Sequence, residues 1–181
     1  LFATLPQGPL RLRAESLCYE VWAGTVGGAV GWADPEVGRL FRMGLERAEA
    51  LGDPLLMAEM LSVLGFREQF NGDIDSALAL QERAAPLAQG GPPAWVLSVQ
   101  GGQALALLYH GDFSRSLSLY QPFVDSLLST GLATADALLH LDHVTWVLWC
   151  LGFPDRAVQL VRAILESIDR QGESLHPEAK K

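Results

Sequence analysis

The chain is poor in cysteine. Its two thiols, Cys18 and Cys150, lie in apolar helical patterns, where a free Cys behaves as a small hydrophobe. A disulfide framework or zinc knuckle is not expected, and a reducing cytoplasm is the natural compartment. No run reaches the roughly 18 apolar residues that span a bilayer. Nor does the N-terminus join a charged segment to an apolar one, as a secretory leader does. Membrane insertion and export are therefore not expected. Basic residues are also few, 13 Lys and Arg against 21 Asp and Glu, for a net charge of −8. They are interspersed with acids, so no face offers a footprint for a phosphate backbone, and nucleic acid is not expected as a direct partner.

Catalytic constellations are missing too. No Ser sits in a Gly-x-Ser-x-Gly elbow, and neither Cys has a catalytic signature. The glycines of Thr25-Val-Gly-Gly-Ala-Val-Gly31 have no Lys after them, so they do not form a phosphate-binding loop. Glu59 and Glu68 are a possible pair of acids, but nothing in the sequence places them in a shared cleft. Asp136, His140 and His143 fall at i, i+4 and i+7 of one helical face, with Asp142 beside them. They lack a fourth ligand for zinc and the Glu of a His-Glu-x-x-His helix, and read as a polar edge. His110 precedes a turn, where a cation near a helix C-terminus is favourable. No metal, cofactor or enzymatic activity is expected.

A returning phrase is present instead. Leu64-Gly-Phe-Arg-Glu-Gln-Phe70-Asn-Gly72-Asp73-Ile-Asp-Ser-Ala77 reads as a helix end, a Gly-Asp turn and a second helix with a small residue at its first inward position. It recurs around Gly111 with Ser116, and around Gly152 with Ala157; Ala77, Ser116 and Ala157 are 39 and 41 residues apart. That exceeds the roughly 34 residues of a tetratricopeptide repeat and lies within the range of helix-pair repeats. No segment alternates like a strand. The expectation is an all-α, right-handed α-solenoid of about four antiparallel helix hairpins, forming one domain over 1–181. The hairpins span about 9–52, 53–89, 92–130 and 134–171, and 172–181 reads as the start of a further helix.

Asp34-Pro35 and Asp53-Pro54 are helix-start signals, an Asp cap followed by Pro at the first helical position. Helix one is expected from Pro9 or Leu10 to about Gly24, with Leu10, Ala14, Leu17, Cys18, Val21 and Trp22 on one apolar stripe. Gly24 to Gly31 reads as a frayed end and loop, because four glycines disfavour a helix interior. Pro86 should distort the end of helix four, and Pro122 should kink or split helix six. Gly101-Gly102 in helix five read as a close approach of helices or a hinge. The chain has no initiator Met and ends Glu-Ala-Lys-Lys, which reads as a piece of a longer protein.

With Gly72 at the turn, Leu61, Leu64, Gly65, Ala77 and Ala84 match tetratricopeptide consensus positions; with Gly111, Ala104, Phe113 and Tyr120 do. Glu68 stands where an aromatic is usual, and Phe123 where Ala is. Further phrases are Ala3-Thr-Leu-Pro-Gln-Gly-Pro9, Ala33-Asp-Pro-Glu-Val37, Glu49-Ala-Leu-Gly-Asp-Pro54 and Trp146-Val-Leu-Trp149-Cys-Leu-Gly-Phe-Pro-Asp155. Across nearly its whole length the chain resembles the tetratricopeptide-like region of large bacterial signal-transducing AAA-like ATPases, of cyclase-associated or transcriptional-regulator type.

The resemblance implies a cytoplasmic signal-transduction scaffold that binds a peptide or partner domain, or adjacent domains of a parent chain, in a concave groove. First helices line that groove in such arrays. Mapping from the turn glycines places there Glu59, Ser62, Phe66 and Gln69, then Ser98, Gly101, Leu105, Leu108 and Tyr109, then Leu139, Asp142, Trp146 and Trp149. The surface would be aromatic and apolar with an acidic edge, suited to a helix or an extended peptide. Trp146 and Trp149 read equally as core. Basic residues that would clamp a C-terminal carboxylate are absent from these positions. An alternative is a small-ligand sensor with an apolar pocket near Trp146, Trp149 and Tyr109. Self-association through uncapped ends is a third, using Val158, Val161 and Leu165 of helix eight.

Overall fold

A computed structural model of the chain describes residues 6–131 and 135–175, and every regular element in them is an α-helix. In order these are α1 (Pro9–Val30), α2 (Pro35–Leu51), α3 (Pro54–Asn71), α4 (Ile74–Ala88), α5 (Pro93–His110), α6 (Phe113–Thr130), α7 (Ala135–Cys150) and α8 (Pro154–Leu175). They divide into two compact units, Leu1–His110 with α1 to α5 and Gly111–Lys181 with α6 to α8.

Local chemistry sets the helix ends. Proline is the first residue of α1, α2, α3, α5 and α8, a position whose N–H has no intrahelical partner anyway. Asp side chains then accept from the free amides of the first turn: Asp34 from Glu36 at 2.8 Å, Asp53 from Leu55 at 3.1 Å, Asp73 from Ser76 at 3.1 Å and Asp112 from Arg115 at 3.2 Å. Gly52 and Gly72 close α2 and α3 in the left-handed conformation, with φ of 71° and 78°, where a side chain would be strained.

Three expectations are corrected. α1 does not fray at Gly24 but continues to Val30. Gly27 is buried there with the Trp32 ring so close that a Cβ would lie 3.1 Å from it, so tertiary packing offsets the poor helix propensity. α6 is not split at Pro122 but is one helix through it, and α8 extends past Arg170 to Leu175. The expected further helix over 172–181 therefore begins inside α8, and its remainder lies outside the described residues.

In the first unit, Ala23 of α1, Val37, Leu40, Phe41 and Ala48 of α2, and Leu56, Met60 and Leu64 of α3 form one core cluster. A second joins Ala58 and Leu61 of α3, Ala84 and Ala88 of α4, and Val99 of α5. Polar ties fix the pairs: the Ser16 hydroxyl donates to the Gly44 carbonyl at 2.8 Å, and Glu15 accepts from Arg11 and Arg47, both at 2.7 Å. The buried Gln81 amide donates to the Ser62 carbonyl at 2.9 Å. It fills the space between Gly65 and Gly102, where a Cβ on either would come within 2.9 Å of it. Gly102 is thus a close approach of helices. In the second unit Tyr120, Phe123 and Leu127 of α6, Leu141, Val144, Val147 and Leu148 of α7, and Ala157 and Leu160 of α8 are buried.

Gly65 and Gly24 make a matched test. Gly65→Ala would press on the bonded Gln81 amide and on the Ala77 carbonyl, so urea unfolding should show a net loss of about 1–2 kcal/mol. Gly24 has nothing within 4 Å, and Gly24→Ala should gain up to about 1 kcal/mol from helix propensity.

Candidate functional site

Glu59, Ser62, Phe66 and Gln69 recur on α3 at spacings of three and four residues, which puts them on one face. The structure brings Glu59 and Ser62 together with Trp95 and Ser98 of α5 around a cleft of about 110 Å³, floored by Val63 and Val99. A neighbouring hollow of about 280 Å³ shares Glu59 and Trp95 and is bounded on the other side by Arg13 and Leu17 of α1. Glu20 of α1 lies close enough to Glu59 for its charge to act on that carboxyl.

The electrostatics follow from that pairing. Burial, then the charge of Glu20 and the hydrogen bond to it, push Glu59 up to about 7, and burial raises Glu20 as well. Two half-buried carboxylates close together cannot both ionise cheaply, so Glu59 keeps its proton to about pH 7. The cation on this side of the cleft, Arg13, is paired with Asp53 at 3.1 Å. Among the described residues the acid pair is therefore an unneutralised negative site beside the large ring of Trp95.

The other expected groove residues scatter. Phe66 is exposed and joins an aromatic run, its ring 6.0 Å from Trp32 and 4.9 Å from Phe70, while Gln69 is half-buried. Leu105 and Leu108 are buried, which corrects their placement on an accessible surface, and Gly101 is buried with them. Their side of α5 is too apolar to stay in water. Tyr109 is exposed. Glu20 and Trp95 were missed by sequence reasoning. Trp95 lies three residues before Ser98 and so shares its face, a signal that was available. Glu20 is joined to Glu59 by helix packing alone.

In the second unit Asp142 is exposed, and the side chain of Leu139 lies outside the described residues. Trp146 and Trp149, 54% and 66% exposed, are not core. They wall an open apolar trough of about 640 Å³ with Thr145, Cys150, Ala157, Val158, Val161 and Arg162, all on α7 and α8. Both cysteines are exposed, not packed as small hydrophobes. His140 lies against the Tyr120 and Phe123 rings, at 6.0 and 5.0 Å, and His143 is 2.9 Å from Asp142. The Asp136 side chain lies outside the described residues. Among the described residues no group of three or more His, Cys, Asp and Glu could hold a metal ion, and no helix is long and apolar enough to cross a membrane.

Helix hairpins that share their core with their neighbours define the class: the chain is an all-α protein of the tetratricopeptide-like α-solenoid kind. Among solved structures it is similar to the nearly identical TPR-like repeats of a protein described as a kinesin light chain from Podosopora anserina. The TM-score is 0.53 at 14% identity, covering 92% of this chain and 99% of that one. A singly substituted form of the same protein matches with a TM-score of 0.52 over the same shares of the two chains. No protein-family model and no curated protein matches the chain. The likeness is one of fold.

The raised Glu59 has a consequence for stability. In the window from about pH 4.5 to about 7 the folded chain binds more protons than the unfolded one, so stability falls as pH rises through it. Glu15 and Asp73, held below the ordinary value by hydrogen bonds from Arg11 and Arg47 and from Ser76, act only below that window. Glu59→Gln should flatten the slope between pH 5 and 8. Discounted for the half-exposed site, it should stabilise the chain at pH 8 by on the order of 1 kcal/mol, or about 2–4 °C in Tm. Urea unfolding at the two pH values measures it, and an unchanged slope would overturn the raised Glu59 value.

Proposed function

We propose that this chain is a non-catalytic protein-interaction module that captures a peptide segment bearing a Lys or Arg on the face formed by α1, α3 and α5. The observation that carries the reading is Glu59, set beside Trp95 in a cleft, with the charge of Glu20 acting on it and no cation among the described residues neutralising it. A basic side chain placed between the two carboxyls would let both ionise, and its methylenes would lie on the indole. Ser62 and Ser98 at the cleft mouth supply hydroxyl groups for the peptide backbone. A charge-assisted hydrogen bond to each carboxylate is the strong form of such recognition. The fold supports the scaffold reading by analogy with other helical-repeat arrays. In this reading the module serves as a regulatory arm of a cytoplasmic signalling protein, a role supported only by its resemblance to repeat regions of bacterial signalling ATPases.

A second reading is favoured by one observation, the apolar trough walled by Trp146 and Trp149. An apolar small molecule could lie in it, although both rings face water. Closed pockets bury most of a ligand's surface, and this trough does not close.

Fluorescence anisotropy against pools of basic, neutral and acidic peptides tests the main reading. The basic pool should bind most tightly, with affinity rising as the pH is raised from 5 to 8, because binding displaces the Glu59 proton. Glu59→Gln and Trp95→Ala should each weaken it tenfold or more. Equal binding of the acidic pool, or indifference to Glu59→Gln, would overturn the basic-peptide assignment.

A further inference from the structure

Glu59, Val63, Phe66 and Phe70 recur on α3 at spacings of three and four residues, so one face of the helix carries the acid toward one end and two phenyl rings toward the other. The neighbouring first helix repeats that order. Glu20 of α1 acts on Glu59, and Trp32, just past the C-terminal end of α1, meets Phe66 edge-on with ring centroids 6.0 Å apart. α1 and α3 thus run side by side from an acidic end to an aromatic one.

The aromatic end is anchored from below. Trp32 is half-buried and lies parallel to the buried Phe41 ring at 6.4 Å, and Gly27 is pressed against its other edge. Phe66 rests on Trp32, and Phe70 rests edge-on against Phe66 at 4.9 Å. The two outer rings stay 36% and 55% exposed. Rings held in this way lose little freedom when a ligand covers them. The charges that adjoin Phe66 in sequence, Arg67 and Glu68, are paired with each other at 2.8 Å, so this end suits an apolar side chain. Between the two ends lies Gly24, one turn after Glu20 on α1. Gly27 and Gly65 are required by close neighbours, but nothing comes within 4 Å of the place where a Cβ on Gly24 would sit. It weakens its helix without a packing reason and leaves room for another backbone to approach.

We propose that this strip is a second subsite of the peptide face: the segment whose Lys or Arg enters beside Glu59 and Trp95 carries an apolar side chain three residues away, seated on the Phe66 and Phe70 rings. The subsite presupposes the basic-peptide reading of the Glu59 cleft and supplies the second half of its motif. Seven residues of helix at about 1.5 Å each place Phe66 about 10 Å along α3 from Glu59. A polyproline-type segment advances about 3.1 Å per residue with three residues per turn. Three residues of it span the gap and return a side chain to the same side, whereas a β-like segment turns its third side chain away. Aromatic surfaces are also the usual seat of such segments. Gly24 admits the backbone between the two anchors.

The test is fluorescence anisotropy with labelled peptides built on Lys-Pro-Pro-Phe and Phe-Pro-Pro-Lys, the same two with Ser in place of Phe, and two in which a single Pro separates Lys from Phe. In one of the two orders the three-residue Phe peptide should bind at least tenfold tighter than its Ser and short-spaced counterparts. Phe66→Ser and Phe70→Ser should each remove most of that gain and leave the Ser peptides unchanged, with helical circular dichroism confirming the fold. Gly24→Leu should weaken the Phe peptide about tenfold while raising the urea midpoint, a split that damage to the fold does not produce. Equal binding of Phe and Ser peptides, both weakened by Glu59→Gln, would overturn the second subsite and keep the basic-peptide reading. A Phe gain that survives both Phe→Ser variants would overturn it as well. No binding of any peptide, or binding indifferent to Glu59→Gln, would overturn the two together.

Discussion

The arrangement of α3, α4 and α5 depends on one close contact, the Gln81 amide seated between Gly65 and Gly102. A polar side chain at the junction of three helices must find a partner, since burying an amide without one costs more than the packing returns. The Ser62 carbonyl supplies it for the amide nitrogen, at 2.9 Å. To reach that carbonyl, Gln81 needs room that side chains at 65 and 102 would occupy. Two glycines that weaken their own helices therefore allow the three helices to meet. The same junction holds α3 and α5 at the distance that leaves a cleft between Ser62 and Trp95. Packing and the candidate site are set by one geometric requirement.

Much of the fold was legible in the sequence because helix ends are governed by local chemistry. Asp-Pro and Gly-Asp pairs act through caps and left-handed turns within a few residues, and Asp34, Asp53, Asp73 and Asp112 all accept from first-turn amides. The errors came where tertiary contact outweighed propensity. Gly24 to Val30 stays helical with Gly27 under the Trp32 ring, a contact that lies outside any local window. Pro122 lies inside α6, whose helix continues on both sides of it.

The candidate site was less legible, for a related reason. The face of α3 follows from spacing, so Glu59 and Ser62 could be placed together. The partner of Glu59 could not, because Glu20 approaches through the register of α1 against α3, which no periodicity encodes. Leu105 and Leu108 went the other way: the turn-glycine mapping placed them on a surface, and their environment is core. Trp146 and Trp149 carry an ambiguity that only exposure resolves, since an aromatic at helical spacing suits a core and a binding surface equally.

The acid pair and the apolar trough differ in the force they use, and this separates their responses. The raised Glu59 carboxyl, with Glu20 close by, ties the first surface to pH, because ionising it beside another carboxylate is costly without a compensating cation. The trough is bounded by uncharged side chains apart from Arg162, so its occupancy follows apolar area and is nearly indifferent to pH and weakly dependent on salt. A repeat array can keep such surfaces distinct because each hairpin buries its core only against its neighbours. A change at Glu59 is therefore confined to the packing of α1, α3 and α5, and a change at Val161 to that of α7 and α8.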